Sequence, residues 1–122
     1  MSKDYRLVVA GCRDFHDYAV ASMVIQRYLQ RLDEDYSVII VSGCANGADR
    51  LGERYAMEHN LAIERFPADW NQYGKSAGPR RNAQMAKAAD AVLVFWDGQS
   101  RGTKNMIENA KKENKPCTII RI

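Results

Sequence analysis

The sequence predicts an α/β protein: a three-layer sandwich of about five parallel strands with helices on both faces. Three observations carry this. Short apolar runs, several rich in β-branched residues, recur at Leu7–Ala10, Val38–Val41, Leu61–Phe66, Ala91–Trp96 and Cys117–Ile120. Stretches with a helical apolar stripe separate most of them. Small polar loops containing glycine follow the first, second and fourth runs. Strands that alternate with helices build a parallel sheet, because each crossover must return the chain to the same edge.

The elements follow in order. Leu7–Ala10 is a buried strand that ends in Gly11-Cys12-Arg13-Asp14-Phe15, where glycine suits a sharp turn. Arg13 is either a phosphate clamp or a loop residue paired with Asp14. Asp17 caps a helix to about Leu32, with Val20, Met23, Val24, Tyr28 and Leu32 as its inward stripe. Asp33-Glu34-Asp35 is a solvated turn rather than a metal cluster. Val38–Val41 is an unbroken β-branched run, the mark of a strand covered on both faces.

Ser42 to Asp49 is a loop of small residues that holds Gly43, Asn46 and Gly47, and a helix follows to about His59. Strand, glycine loop and helix in that order can cradle phosphate, since helix-start N–H groups attract an anion. The same pattern also makes a tight turn that binds nothing. Asn60 is a left-handed stop. Leu61–Phe66 carries charges and reads as a less buried strand.

Pro67 to Pro79 reads as the longest irregular segment, offering Trp70, Tyr73 and Lys75 to a ligand or tucking Trp70 onto the core. Arg80-Arg81-Asn82 then opens a helix lined by Met85, Ala86 and Ala89. Two arginines at a helix N-terminus oppose its dipole, a conflict that a bound anion would resolve. Ala91–Trp96 runs into a second polar loop, Asp97-Gly98-Gln99-Ser100-Arg101-Gly102. Trp96 ends the core of its strand or stacks on a ligand base. Thr103 caps the last helix, Met106, Ile107 and Ala110 face inward, and Lys111, Lys112 and Lys115 answer its negative end.

Composition narrows the class. The chain of 122 residues is read as one domain, 1–122, with 46% hydrophobic and 27% charged residues, the balance of a soluble globule. No run is long and apolar enough to span a bilayer, and Met1-Ser2-Lys3-Asp4 lacks a signal-peptide profile, so the expected setting is cytoplasmic with no membrane partner. Three cysteines fit neither a disulfide framework nor zinc spacing, and no metal site is expected. Net charge is only +3, yet residues 71–122 hold ten Lys/Arg against four Asp/Glu. That asymmetry points to an anionic ligand on the second half.

Right-handed crossovers gather the strand-to-helix loops, 11–16, 42–49, 67–80 and 97–103, at one edge of the sheet. Ligands of such sheets bind there, at the switch in strand order. Arg13, Lys75, Arg80, Arg101 and most of the glycines lie in these loops.

Four motifs, GCRDF, SGCANGAD, GPRRN and DGQSRGT, together resemble the SLOG superfamily, which joins the DNA-processing protein DprA/Smf with the LOG cytokinin-activating enzymes. The most similar branch is the small YspA-related SLOG family of bacteria and phages, and the resemblance runs from Leu7 to about Ala110. It implies a Rossmann-like sheet, a pocket for a nucleotide or nucleotide-derived ligand, and frequent homo-oligomers; a phage protein would act in the host cytoplasm. Carried over by motif, Gly11 and Arg13 flank the ligand, and Ser42, Gly43, Gly47 and Asp49 line its centre. Arg81 and Asn82 follow, and Gly102 and Thr103 form the phosphate-binding turn. Asn46, Trp70, Arg80, Gly98, Ser100 and Arg101 complete the candidate binding set.

LOG relatives hydrolyse the N-glycosidic bond of nucleoside monophosphates with an Arg in an RKxxM-like segment and a Glu in a GGxGTxxE turn. Here Arg81 and Met85 match the first, but Asn82 replaces its Lys. Met106 stands where the Glu is expected, and Glu108 lies further round the helix. Asp49 and Asp97 are the other carboxylate candidates. Without a placed carboxylate, LOG-type hydrolysis lacks a part that its oxocarbenium-like transition state requires. The expected function is therefore ligand binding, as sensor or carrier, with LOG-like N-glycosidic hydrolysis of a nucleotide as the alternative and no cofactor firmly implied. A DprA-like alternative is single-stranded DNA binding, for which Trp70 and Tyr73 beside Lys75, Arg80 and Arg81 would supply stacking and charge.

Overall fold

A computed structural model of the protein describes residues 3–122, and Met1 and Ser2 of the expected leaderless N-terminus lie outside them. The strands are β1 (Lys3–Gly11), β2 (Tyr36–Ser42), β3 (Ala62–Arg65), β4 (Ala91–Trp96) and β5 (Cys117–Arg121). The helices are α1 (Tyr18–Gln30), α2 (Ala48–Glu58), the single turn α3 (Trp70–Tyr73), α4 (Ala77–Ala88) and α5 (Arg101–Lys112). The sheet has the order β3-β2-β1-β4-β5, and every pair is parallel. This is the Rossmann-like arrangement expected.

Alternation along β1 explains the three layers. Leu7 and Val9 pack with Ile25 of α1 and Leu51 and Tyr55 of α2 on one face. Val8 and Ala10 pack with Met85 of α4 and Met106, Ile107 and Ala110 of α5 on the other. The strands most buried on both faces, β1 and β4, sit beside each other at the middle of the sheet. Helices cross one face from β1 towards β2 and the other from β3 towards β4, so strand order switches between β1 and β4. None of the described helices is long and apolar enough to cross a membrane.

Several local expectations change. The buried residues of α1 are Ala21 and Ile25, with Val20, Val24 and Tyr28 at the flanks, while Met23 is exposed. The inward stripe is thus rotated, with Ala21 and Ile25, four residues apart, on its centre line. Asp17 does cap α1, accepting from the Val20 N–H at 3.2 Å. Asn60 takes the left-handed conformation at φ 56°.

The irregular segment ends at Ser76 and contains α3 and a 3₁₀ turn over Gly74–Ser76. Helix α4 begins at Ala77, so Arg80 and Arg81 do not open it. Pro79 falls within the first turn, where its missing N–H costs nothing. The dipole conflict inferred for the arginine pair therefore shrinks, since both lie past the first three residues. Ser100, not Thr103, caps α5. Lys115 reaches away from α5 and donates to the carbonyls of Lys87 and Ala89 at the end of α4.

Candidate functional site

A cavity of about 490 Å³ opens where β1 and β4 end, at the switch in strand order. Its floor is the small-residue end of β1, Ala10-Gly11-Cys12. Gly11 is required there by packing: a Cβ would sit 2.3 Å from the Phe95 carbonyl. Met85 of α4 and Met106 of α5 form the apolar wall.

The first turn of α5 closes one side. Asp97 Oδ1 accepts from the N–H groups of Gln99 and Ser100, both at 2.8 Å, and these bonds hold its carboxyl below the usual range. Ser100 Oγ then accepts from the Thr103 N–H at 3.4 Å and from the Thr103 hydroxyl at 3.1 Å. The N–H groups of Arg101 and Gly102 come earlier in the turn and have no intrahelical acceptor. A Cβ on Gly102 would meet nothing within 4 Å, so this backbone is open to an approaching ligand. The Cys12 thiol backs the same turn, accepting from the Asp97 N–H at 3.4 Å.

The opposite side is the loop after β2. Arg81 donates through Nη1 to the Gly43 carbonyl and through Nε to Asn82 Oδ1 at 3.0 Å. Asn82 is buried and passes the connection on, donating to the Gly102 carbonyl at 3.3 Å and to Asn105 Oδ1 at 3.0 Å. One chain of bonds thus links the glycine loop after β2, helix α4 and the start of α5. Burial pulls the Arg81 guanidinium below its ordinary value, with Asp49 acting in the other direction. Asp49 lines the cavity, and its Oδ2 accepts from the Ala45 N–H at 3.2 Å. Its burial pushes the carboxyl up to about 6.

Beneath this loop lies a network that sequence reasoning missed. Ser42 donates to Glu53 Oε2 at 2.5 Å and accepts from the Cys44 N–H at 3.1 Å. Arg65 of β3 donates to Glu53 Oε1 through two nitrogens, at 3.1 and 3.2 Å, and Arg50 reaches the same oxygen at 3.3 Å. Burial alone would raise the Glu53 carboxyl, but these bonds and charges more than offset it and lower the group. An acid four residues after Asp49, on the packed side of α2, was the available signal.

Of the expected binding residues, the main cavity gathers Gly11, Arg13, Asp49, Arg81 and Asn82 with Ser100, Gly102 and Thr103. Gly43, Asn46 and Trp70 line an adjoining cleft of about 270 Å³, and Arg101 lines another of about 230 Å³ that also borders Trp70. Arg13 borders all three spaces and Arg81 does too. Asp97 lines the main cavity, but Glu108 points to solvent and lines none of the three.

Four expected contacts lie elsewhere. Arg80 stacks over Tyr73, 4.4 Å from the ring centroid, and lines none of the three spaces. Ser42 is buried on Glu53. Gly47 takes φ 80° with its backbone against the Cys12 and Arg13 carbonyls, so it shapes the loop rather than lining it. Gly98 takes φ 85° under the Arg121 side chain. Trp96 is half-buried and donates to the Ser100 carbonyl at 3.1 Å, bracing the α5 turn from the strand.

Residues 5–73, from β1 to α3, match the model of the YspA, cpYpsA-related SLOG family. The chain belongs to this family. The gene 61 protein of Mycobacterium phage D29 is 33% identical to this SLOG chain over 117 residues, covering 91% of it and 92% of the phage protein. The X-ray structure of DNA processing protein A (DprA) from Streptococcus pneumoniae matches the SLOG fold with a TM-score of 0.71 at 19% identity. That match covers 96% of this chain and 50% of DprA, and the likeness is one of fold. At the position where LOG relatives place their Glu, this SLOG chain has Met106, buried and facing the cavity.

Proposed function

We propose that this chain binds a nucleotide or nucleotide-derived ligand, as sensor or carrier, with phosphate at the N-terminus of α5. Family membership supports a nucleotide-related or DNA-binding role in general. One observation supports the finer reading: Arg13 stands beside the open first turn of α5, on the same cavity. Its guanidinium forms no ion pair or hydrogen bond among the described residues, unlike Arg6, Arg50, Arg54 and Arg65. An unpaired guanidinium next to free helix-start N–H groups favours an anion by both charge and hydrogen bonding. Trp70, 51% exposed where the side clefts meet, offers a face for the base.

A thermal-shift panel tests this: NAD, ADP-ribose, cyclic ADP-ribose, AMP, ATP, cyclic dinucleotides and a short single-stranded DNA. A ligand at about 100 times its Kd adds roughly 2.7 kcal/mol, several degrees for a chain of this size. The expected result is such a shift with a nucleotide, lost in Arg13→Ala, and no free base released from AMP. A flat panel with folded protein would overturn the reading.

The second reading, single-stranded DNA binding, draws on the exposed rings of Trp70 and Tyr73 and on Arg80 stacked over the latter. Steeply salt-dependent oligonucleotide binding with no mononucleotide affinity would favour it.

A further inference from the structure

Helix α2 carries two buried acids one turn apart, Asp49 at 4% exposure and Glu53 at 3%. Glu53 has both oxygens engaged, by Ser42 on one and by Arg65 and Arg50 on the other. Asp49 does not. Its Oδ2 accepts from the Ala45 N–H, while Oδ1 forms no hydrogen bond among the described residues and, since none of their fully buried polar atoms lacks a partner, is open to solvent. Nor does any cation lie within ion-pair distance of it among those residues. The side chain lines the main cavity, so the unanswered valence faces the ligand space. A carboxylate is costly to bury, and one held by a single protein hydrogen bond with an oxygen open to a cavity is a feature of sites rather than of cores.

The surroundings restrict what it can take. A carboxylate repels phosphate, so the phosphate belongs with Arg13 and the α5 turn and the acid must meet a neutral donor. Asp49 and Arg81 flank the bare backbone of Gly43: a Cβ there would lie 2.8 Å from Asp49 Oδ2 and 2.6 Å from Arg81 Nη1. An acceptor and a cation set side by side match a sugar hydroxyl next to a phosphate ester. The cavity wall nearby is methionine, whereas the exposed aromatic face, Trp70, belongs to the side clefts. A base has its platform outside, and the sugar lies within.

Resting on the nucleotide reading above, we infer that Asp49 accepts the hydroxyl protons of the ligand's sugar and so selects ribonucleotides over 2′-deoxyribonucleotides. Gly43, lacking a side chain, is what lets Asp49 and Arg81 both close over the loop backbone.

The test compares the four ribonucleoside 5′-monophosphates and 5′-diphosphates with their 2′-deoxy counterparts by calorimetry, in wild type, Asp49→Asn and Asp49→Ala. The wild type is expected to prefer the ribose form by about tenfold or more, the worth of one charge-assisted hydrogen bond. In both variants that ratio should collapse towards one, with folding checked by circular dichroism. Measurable binding with equal affinity for ribose and deoxyribose forms would overturn the Asp49 assignment and leave the nucleotide reading standing. A ratio that survives both substitutions would overturn it equally. Binding of neither series, with single-stranded DNA bound instead, would remove both.

Discussion

The Arg81 guanidinium donates to the carbonyl of Gly43, tying the second turn of α4 to the glycine loop that follows β2. Both ends of this contact border the proposed ligand spaces. Arg81 therefore does two things that can be separated. Replacing it with Ala orphans one carbonyl and frees Asn82 Oδ1, a loss of about 1 kcal/mol in stability. Removing the cation from all three spaces should cost far more in binding, at least about a hundredfold in nucleotide affinity. Urea melts and calorimetry on the same Arg81→Ala sample measure the two effects; unchanged affinity would take Arg81 out of the site.

The raised Asp49 carboxyl makes the free protein's stability depend on pH. Its value is 3.8 in an unfolded chain and about 6 when folded, so between these the folded state holds a proton that the unfolded state has released. Stability from this group is full below about pH 4 and is lost as pH rises through about 6. At neutral pH the buried charge costs on the order of 2–3 kcal/mol. Asp49→Asn, whose amide oxygen can still accept from Ala45, should raise Tm at pH 7.5 and flatten the profile between pH 4 and 6. A lower Tm at pH 7.5 would contradict this.

Glu53 behaves oppositely. Its carboxyl is lowered below 4.5, so its contribution is present above that pH and disappears as pH falls through the lowered value. Glu53→Gln should cost about 1–2 kcal/mol at pH 7, a modest figure because Arg65 is half exposed and solvent screens the pair. Urea midpoints at pH 7 and pH 3.5 would check it, the gap between wild type and variant closing at the lower pH.

Two glycines should respond in contrary ways. A Cβ on Gly47 would lie 2.3 Å from the Cys12 carbonyl oxygen and 2.5 Å from that of Arg13, at a φ of 80°. Gly47→Ala should therefore cost about 3 kcal/mol or more. Gly102 has open space and helical backbone, so Gly102→Ala should leave stability within about 1 kcal/mol of wild type, or improve it. The new methyl would crowd a phosphate at the α5 turn, weakening nucleotide binding at least about tenfold. Thermal melts and calorimetry on the pair distinguish a glycine that shapes the loop from one that admits the ligand.

The sheet was readable because its signal is local: β-branched runs broken by glycine loops report strands wherever they occur. Site residues fared unevenly for the same reason. Arg13, Asp49, Arg81 and Gly102 lie in the loops and helix starts that the β-α pattern marks, and they converge. Arg80 did not: proline is tolerated in a first helical turn, so α4 already runs through both arginines. Successive helical residues point about 100° apart, Arg81 to the cavity and Arg80 over Tyr73. The Glu53 network escaped because its partner Arg65 belongs to strand β3, and no periodicity within α2 encodes that meeting. Thr103 suits a cap by type alone, but the Ser100 N–H donates to Asp97 and the Ser100 hydroxyl accepts from the Thr103 N–H, which sets the cap three residues earlier.

The order of the sheet also governs how the chain can fold as it is made. β1 precedes the other four strands of its sheet in the chain and lies at the centre, yet one of its two neighbours is β4, and Arg6 and Asp90 meet across a separation of 84 residues. Until β4 has left the ribosome, one side of β1 is an open edge, with apolar faces that Val92 and Val94 will later help cover. The cavity is built on that same seam, so it lacks a wall until the segment from Asp97 to Met106 has emerged. A ligand of this cavity could therefore stabilise the domain only once β4 and the start of α5 have joined β1.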